Sequence, residues 1–191
     1  MEDTKSTKNI KTYVLATKAY PDLLPNFIKR FSKFWGGPLR IYVSDTPLED
    51  WSGGVIDMLE AIDDEYLIIL HDDFYLTEKV DLELLEELKR AIIKYDADRV
   101  SLLGNHSVPR TTSFRGEYVK HKPKSEYQFS FEASIYKRKW VLEYLVKGRD
   151  PWQSENIPRW DARGLILSSD QPAITYKDRL NRGKLIRLQP A

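Results

Sequence analysis

The chain has no cysteine, and only two methionines and three histidines among its 191 residues. Without cysteine there is no disulfide framework and no thiolate metal centre, which accords with a reducing compartment. No apolar run reaches the roughly 20 residues that span a bilayer. Met1 to Lys11 is polar and charged, without the apolar core of a secretion signal. A cytoplasmic protein with no membrane span is therefore expected. No Gly-x-Gly-x-x-Gly follows the first predicted strand and no Walker lysine loop occurs. Those absences argue against a dinucleotide-dependent dehydrogenase and a P-loop NTPase. The basic residues are scattered, and no continuous basic and aromatic face is foreseen, so nucleic acid is not an expected partner.

What is present is a globular composition, 41% hydrophobic and 12% aromatic, in a length that suits one domain. The net charge of +1 conceals a division. Residues 1–104 carry 13 Lys/Arg against 20 Asp/Glu, and residues 105–191 carry 17 against 9. Much of this is solvated surface. The sharper reading is a cleft with a metal on one wall and phosphate-binding cations on the other.

The periodicity of the first half alternates. Strands are predicted at Tyr13–Thr17, Arg40–Ser44, Tyr66–Leu70 and Arg99–Leu103. Helices are predicted after Asp22, from Ser52-Gly53-Gly54 through Ile62, and from Asp81 through Ile93. Gly36-Gly37-Pro38 stops the first helix. A βαβαβαβ order implies a parallel, Rossmann-like sheet with right-handed crossovers. In the second half, residues 105–125 read as a long polar surface loop and 126–135 as one or two strands. A helix follows at 137–146, and a last strand at Ala173–Tyr176.

One run stands out: Tyr66-Leu67-Ile68-Ile69-Leu70-His71-Asp72-Asp73-Phe74. A buried strand ends in two adjacent carboxylates, whose repulsion and desolvation are unfavourable unless a cation sits there. Ligands of open α/β sheets bind at strand carboxyl ends. Asp72 and Asp73 are thus candidates for an Mg²⁺ or Mn²⁺ site completed by water and phosphate, the alternative being a hydrated turn. His71 reads as a ligand or, more commonly, a packed imidazole. Asp45 is a candidate base or ribose contact, or an ordinary Asp-Thr-Pro turn. Glu155, beside Trp152, is a general-base candidate or a helix-start acid. Arg179, Arg182 and Lys184 are candidates to neutralise a diphosphate, or members of a solvated tail.

These residues, in this order, resemble the GT-A fold of nucleotide-sugar glycosyltransferases, in which an Asp-x-Asp-type motif follows a buried strand. Gln128-x-Ser130, Ile135-Tyr136-Lys137-Arg138, Pro151-Trp152 with Glu155, and Ile174-Thr175-Tyr176 through Arg182-Gly183-Lys184 are similar to small bacterial and viral polysaccharide glycosyltransferases. The resemblance spans about residues 10 to 188. It implies a single α/β GT-A domain, with a mostly parallel central sheet flanked by helices. Its nucleotide-binding half would cover about 10–104 and its acceptor and catalytic half about 105–191. It implies transfer of a sugar from a nucleotide-sugar donor (UDP first, GDP or dTDP as alternatives) to a glycan hydroxyl, within a larger glycosylation system. Asp73 would be the ligand of Mn²⁺ or Mg²⁺, and Asp72 a donor contact. Thr17 and Lys18 would lie in the nucleotide loop, Asp45 near the base or ribose, and Arg182 and Lys184 at the diphosphate. Glu155 would be the base of an inverting reaction, with loop 105–125 closing over the donor. His71 departs from the family pattern, where an acid is usual. The alternatives are a metal-dependent nucleotidyltransferase or phosphatase, and a non-catalytic nucleotide-sugar or glycan-binding module.

Overall fold

The computed structural model describes residue 7 and residues 10–104, 112–114, 118–120, 129–156, 162–181 and 184–185. The first half follows the predicted alternation closely. β1 (Lys11–Thr17) leads to α1 (Leu23–Phe34), β2 (Arg40–Ser44), α2 (Trp51–Glu60), β3 (Tyr66–His71), a short β4 (Phe74–Leu76), α3 (Leu82–Lys94) and β5 (Arg99–Ser101). β6 (Thr112–Phe114), β7 (Tyr118–Lys120) and β8 (Ser134–Lys137) come next. Then follow α4 (Arg138–Tyr144), α5 (Pro151–Asn156), β9 (Ile166–Ser168), β10 (Tyr176–Asp178), β11 (Leu180–Asn181) and β12 (Lys184–Leu185).

Local chemistry explains the element ends. Leu23, Phe27 and Phe31 form the buried stripe of α1. Gly36 ends that helix at φ +72, where its amide donates to the Phe31 carbonyl at 3.0 Å. Asp22 sits at the α1 N-cap without a side-chain capping bond. Asp81 does cap α3, accepting from the Leu84 amide at 3.0 Å. The α2 helix begins one residue before the predicted Ser52, because Asp50 caps it and accepts from the Gly53 amide at 3.0 Å.

An eight-stranded sheet runs in the order β2-β1-β3-β8-β5-β9-β7-β6. β2, β1, β3, β5, β9 and β6 point one way, and β8 and β7 run against them. The sheet is thus mostly parallel, as expected, but β8 enters antiparallel between β3 and β5. The predicted strand over 126–135 is displaced accordingly: its last residues, from Ser134, open β8, residues 129–133 are irregular, and 126–128 lie outside the described residues. Of the predicted 105–125 loop, only the edge strands β6 and β7 are described. The predicted last strand, Ala173–Tyr176, shares only Tyr176 with β10 (Tyr176–Asp178), which pairs with β4 instead of joining the main sheet. β9 was not foreseen.

Alternation along the strands feeds two cores. Val14, Ile68, Leu70, Val100 and Leu167 pack with α1 and α3 on one face. Tyr13, Leu15, Leu67, Ile69 and Ile166 pack with α2 and α4 on the other. The strand carboxyl ends of β1, β2 and β3 share one edge between these layers. Among the described residues no helix is long and apolar enough to cross a membrane.

Candidate functional site

The carboxyl ends of β1 and β3 open into a cleft of about 370 Å³. Thr17 of β1, Asp72 and Asp73 after β3, and Glu155 of α5 all line it. Residues predicted far apart in sequence are thus brought to one cavity. The β4–β10 ladder forms a further wall. Asp178 pairs with Phe74, and Phe74 stacks on Tyr176 with ring centroids 4.2 Å apart.

Asp72 is buried and Asp73 half-buried. Asp72 is 4% exposed, and its Oδ2 has no hydrogen-bond partner. Burial first, and the charge of Asp73 second, push its carboxyl up to about 7. Asp73 is likewise pushed up to about 7, by burial and then by the charge of Asp178. Burial also raises Asp178, with a further contribution from Glu132. Carboxylates raised by burial first and by neighbouring negative charge second form a site that a divalent cation would relieve. Among the described residues no three His, Asp or Glu are arranged as a complete metal cage. The donor set fits a hard cation held by Asp73 and Asp178 that takes its remaining oxygens from water and phosphate.

His71 belongs to the packing. Its ring stacks on Trp51 at 5.6 Å and 18°, and touches Phe74 and Phe131. Burial lowers its pKa to about 4, against a backbone hydrogen bond with Phe131, so the imidazole is neutral at physiological pH. Of the two readings open in the sequence, the packed imidazole matches these contacts.

Glu155 is held in place. Its Oε1 accepts from the Phe131 amide at 2.5 Å and the Ser130 hydroxyl at 3.2 Å. Asp150 sets the start of α5, accepting from the Gln153 amide at 2.8 Å. Burial raises the Glu155 pKa, while those two donors and Arg99 pull it back. A partly buried carboxylate above its usual range is suited to accept a proton.

Three other predicted residues stand apart. Lys18 and Asp45 form an exposed ion pair with each other, at the ends of β1 and β2, and neither lines the cleft. Arg179 follows the last residue of β10 and lies over the Tyr75 ring at 5.3 Å, where Arg30 also sits at 5.3 Å; it does not line the cleft. Arg182 lies outside the described residues, and Lys184 is described only as part of β12. Among the described residues no Lys or Arg lines the cleft.

Sequence reading passed over two cleft carboxylates, Asp178 and Glu132. A period-2 reading continued two residues past Tyr176 would have put Asp178 on the same face. Glu132 gave no signal, because its partner Arg99 is 33 residues away in sequence.

Likeness to solved structures is one of fold. No protein-family model matches the chain, and no curated protein matches it. S. aureus TarS 1–349 superposes with a TM-score of 0.56 at 12% identity, covering 87% of this chain and 59% of that one. The chain thus spans about three fifths of that structure. The same protein in complex with UDP-GlcNAc gives 0.55 at 12% identity, over 92% and 60%. A197 from STIV gives 0.52 at 15% identity, over 90% and 87%. UDP-glucose pyrophosphorylase complexed with UDP-glucose gives 0.53 at 10% identity, over 90% and 77%.

Proposed function

We propose that this chain is a glycosyltransferase of the GT-A type, moving a sugar from a nucleotide-sugar donor to a glycan hydroxyl. One observation carries the reading: Asp72 and Asp73, at the end of β3, share a cleft with a held glutamate at the strand carboxyl ends. The likeness in fold to structures solved with UDP-GlcNAc and UDP-glucose supports a nucleotide sugar as ligand, with UDP the first nucleotide to test and GDP and dTDP next.

The roles follow from placement. Thr17 and Tyr20 border the cleft at the β1 end, where the nucleotide would lie; Lys18 and Asp45, paired with each other at the ends of β1 and β2, would reach it only on donor binding. Asp72 would contact the donor. Asp73 and Asp178 would hold Mg²⁺ or Mn²⁺, which when bound neutralises charge on a leaving diphosphate. Glu155 takes the proton from the attacking acceptor hydroxyl, and displacement at the anomeric carbon inverts it. The apolar rings of Trp51, Phe74 and Phe131 keep water from the reacting face. Arg182 and Lys184 are proposed diphosphate contacts from the closing segment.

Nucleoside diphosphate release from a panel of nucleotide sugars tests the reaction. Wild type should release one nucleoside diphosphate. Glu155→Gln, which keeps the hydrogen-bond acceptor, should slow release by roughly 10²–10⁴-fold with nucleotide affinity unchanged. Near-normal turnover in Glu155→Gln removes it as the base. Pyrophosphate exchange into a nucleoside triphosphate, with no diphosphate release, would instead identify a nucleotidyltransferase. Saturable binding without release would identify a binding module.

A further inference from the structure

Glu132 lines the cleft at 15% side-chain exposure, near enough to Asp178 for its charge to raise that carboxyl, and is ion-paired with Arg99, whose side chain is fully buried. Arg99 is fixed from the other side as well, its Nε donating to Ser134 Oγ at 3.0 Å. The surrounding backbone is pinned in turn. The Glu132 amide donates to Ser130 Oγ at 3.2 Å, and the Tyr136 hydroxyl donates to the Ser130 and Glu132 carbonyls at 2.8 and 2.5 Å. An arginine placed wholly inside a fold is costly unless its partner stays ionised. Here the partner is a carboxylate whose other side faces the cavity. A fixed carboxylate at a cleft wall accepts hydrogen bonds from hydroxyl groups, and it repels another anion.

Charge elsewhere in the cleft points the same way. Asp72, Asp73, Asp178, Glu132 and Glu155 all line it, and among the described residues no lysine or arginine does. A divalent cation at Asp73 and Asp178 would offset that end, where a diphosphate belongs. Glu132, the neighbour of Asp178, and Glu155 would then face the sugar attached to that diphosphate.

Resting on the donor reading above, we infer that Glu132, positioned by Arg99, binds hydroxyls of the transferred sugar and restricts the donor to uncharged or amine-bearing sugars, excluding those with a carboxylate. Arg99 acts through Glu132 and is a positioning residue. Nothing in the sequence motifs assigns either role.

The test uses the whole chain with Mn²⁺ and three ligands sharing the nucleotide that wild type binds best: the nucleoside diphosphate, its glucose ester and its glucuronate ester. The two esters differ only at C6, by one carboxylate. Wild type should bind the glucose ester at least about tenfold more tightly than the glucuronate ester, the scale of one unfavourable charge contact. Glu132→Gln should leave nucleoside diphosphate affinity unchanged and bring the two esters to within about threefold of each other. Intact nucleotide binding shows that the variant is folded. If Glu132→Gln does not fold, Glu132→Asp keeps the charge for Arg99 and should weaken only the sugar esters. A wild type that binds both esters equally, or a variant that loses nucleotide and ester affinity in equal measure, overturns the inference while the donor reading survives. A wild type that binds no nucleotide overturns both.

Discussion

Asp72 and Asp73 make the pH dependence of the free protein a direct report on the site. Each carboxyl is pushed up to about 7 in the folded chain, first by burial, from an unfolded value near the ordinary 3.8. The folded state therefore holds protons that the unfolded state releases. Their stabilising contribution is complete below about pH 4 and is lost as pH rises to about 7, so in chelator the protein should melt higher at pH 5.5 than at pH 8. Asp73→Asn removes one of the opposed charges. It should flatten that slope and stabilise the metal-free protein at pH 8 by on the order of 2 kcal/mol, read by urea denaturation. A slope unchanged in Asp73→Asn would mean that Asp73 does not carry a raised carboxyl in the folded chain. The acidic pair itself was legible in the sequence, because two charges ending a five-residue apolar run have no packing reason. Asp178 and Glu132 were not, since only tertiary pairing of β10 with β4 and of Arg99 with residue 132 brings them to the cleft.

At the scale of elements, α2 holds one wall of the cleft through Trp51, and its start is tightly fitted. Asp50 caps it and also accepts from the Gly148 amide at 2.5 Å, tying α2 to the turn before α5. Asp50→Ala should cost about 1–2 kcal/mol, the upper part of the range for a lost cap, because two amides lose their acceptor. Gly54 faces the end of β2. A Cβ there would collide with Ser44 Oγ and lie 2.7 Å from Thr46 Oγ1, two hydroxyls already hydrogen-bonded at 2.6 Å. Gly54→Ala should therefore cost about 1–3 kcal/mol despite the better helix propensity of alanine. A stabilised Gly54→Ala, measured by thermal melting, would show that this contact is slack. The sequence announced α1, α3 and the first three strands, because their buried stripes repeat at 3.6 or 2 residues. It did not announce β4 or β9, three residues each, nor that β8 would enter antiparallel between β3 and β5. Strands that short carry too few side chains to show a period, and their pairing is decided by neighbours distant in sequence.

Across the whole molecule, the charge division read from the sequence resolves only in part. The acidic first half supplies Asp72 and Asp73, but the second half brings Glu132, Glu155 and Asp178 to the same cavity, while Arg179 packs over the buried Tyr75 ring. Among the described residues the cleft is lined by acids and by no Lys or Arg, so the proposed anionic donor would need to bring a cation with it. That coupling is the centre of the account, and a thermal-shift panel of UDP, GDP, dTDP and their sugar esters tests it directly, on wild type and Asp73→Asn, with Mn²⁺ and with chelator. At a hundredfold excess over Kd, a ligand bound only by the folded state adds about 2.7 kcal/mol, enough to raise the melting temperature by several degrees. The account predicts that rise for one nucleotide, in wild type with Mn²⁺ and in neither chelator nor Asp73→Asn. No shift with any nucleotide, or an equal shift in chelator and in Asp73→Asn, would contradict it.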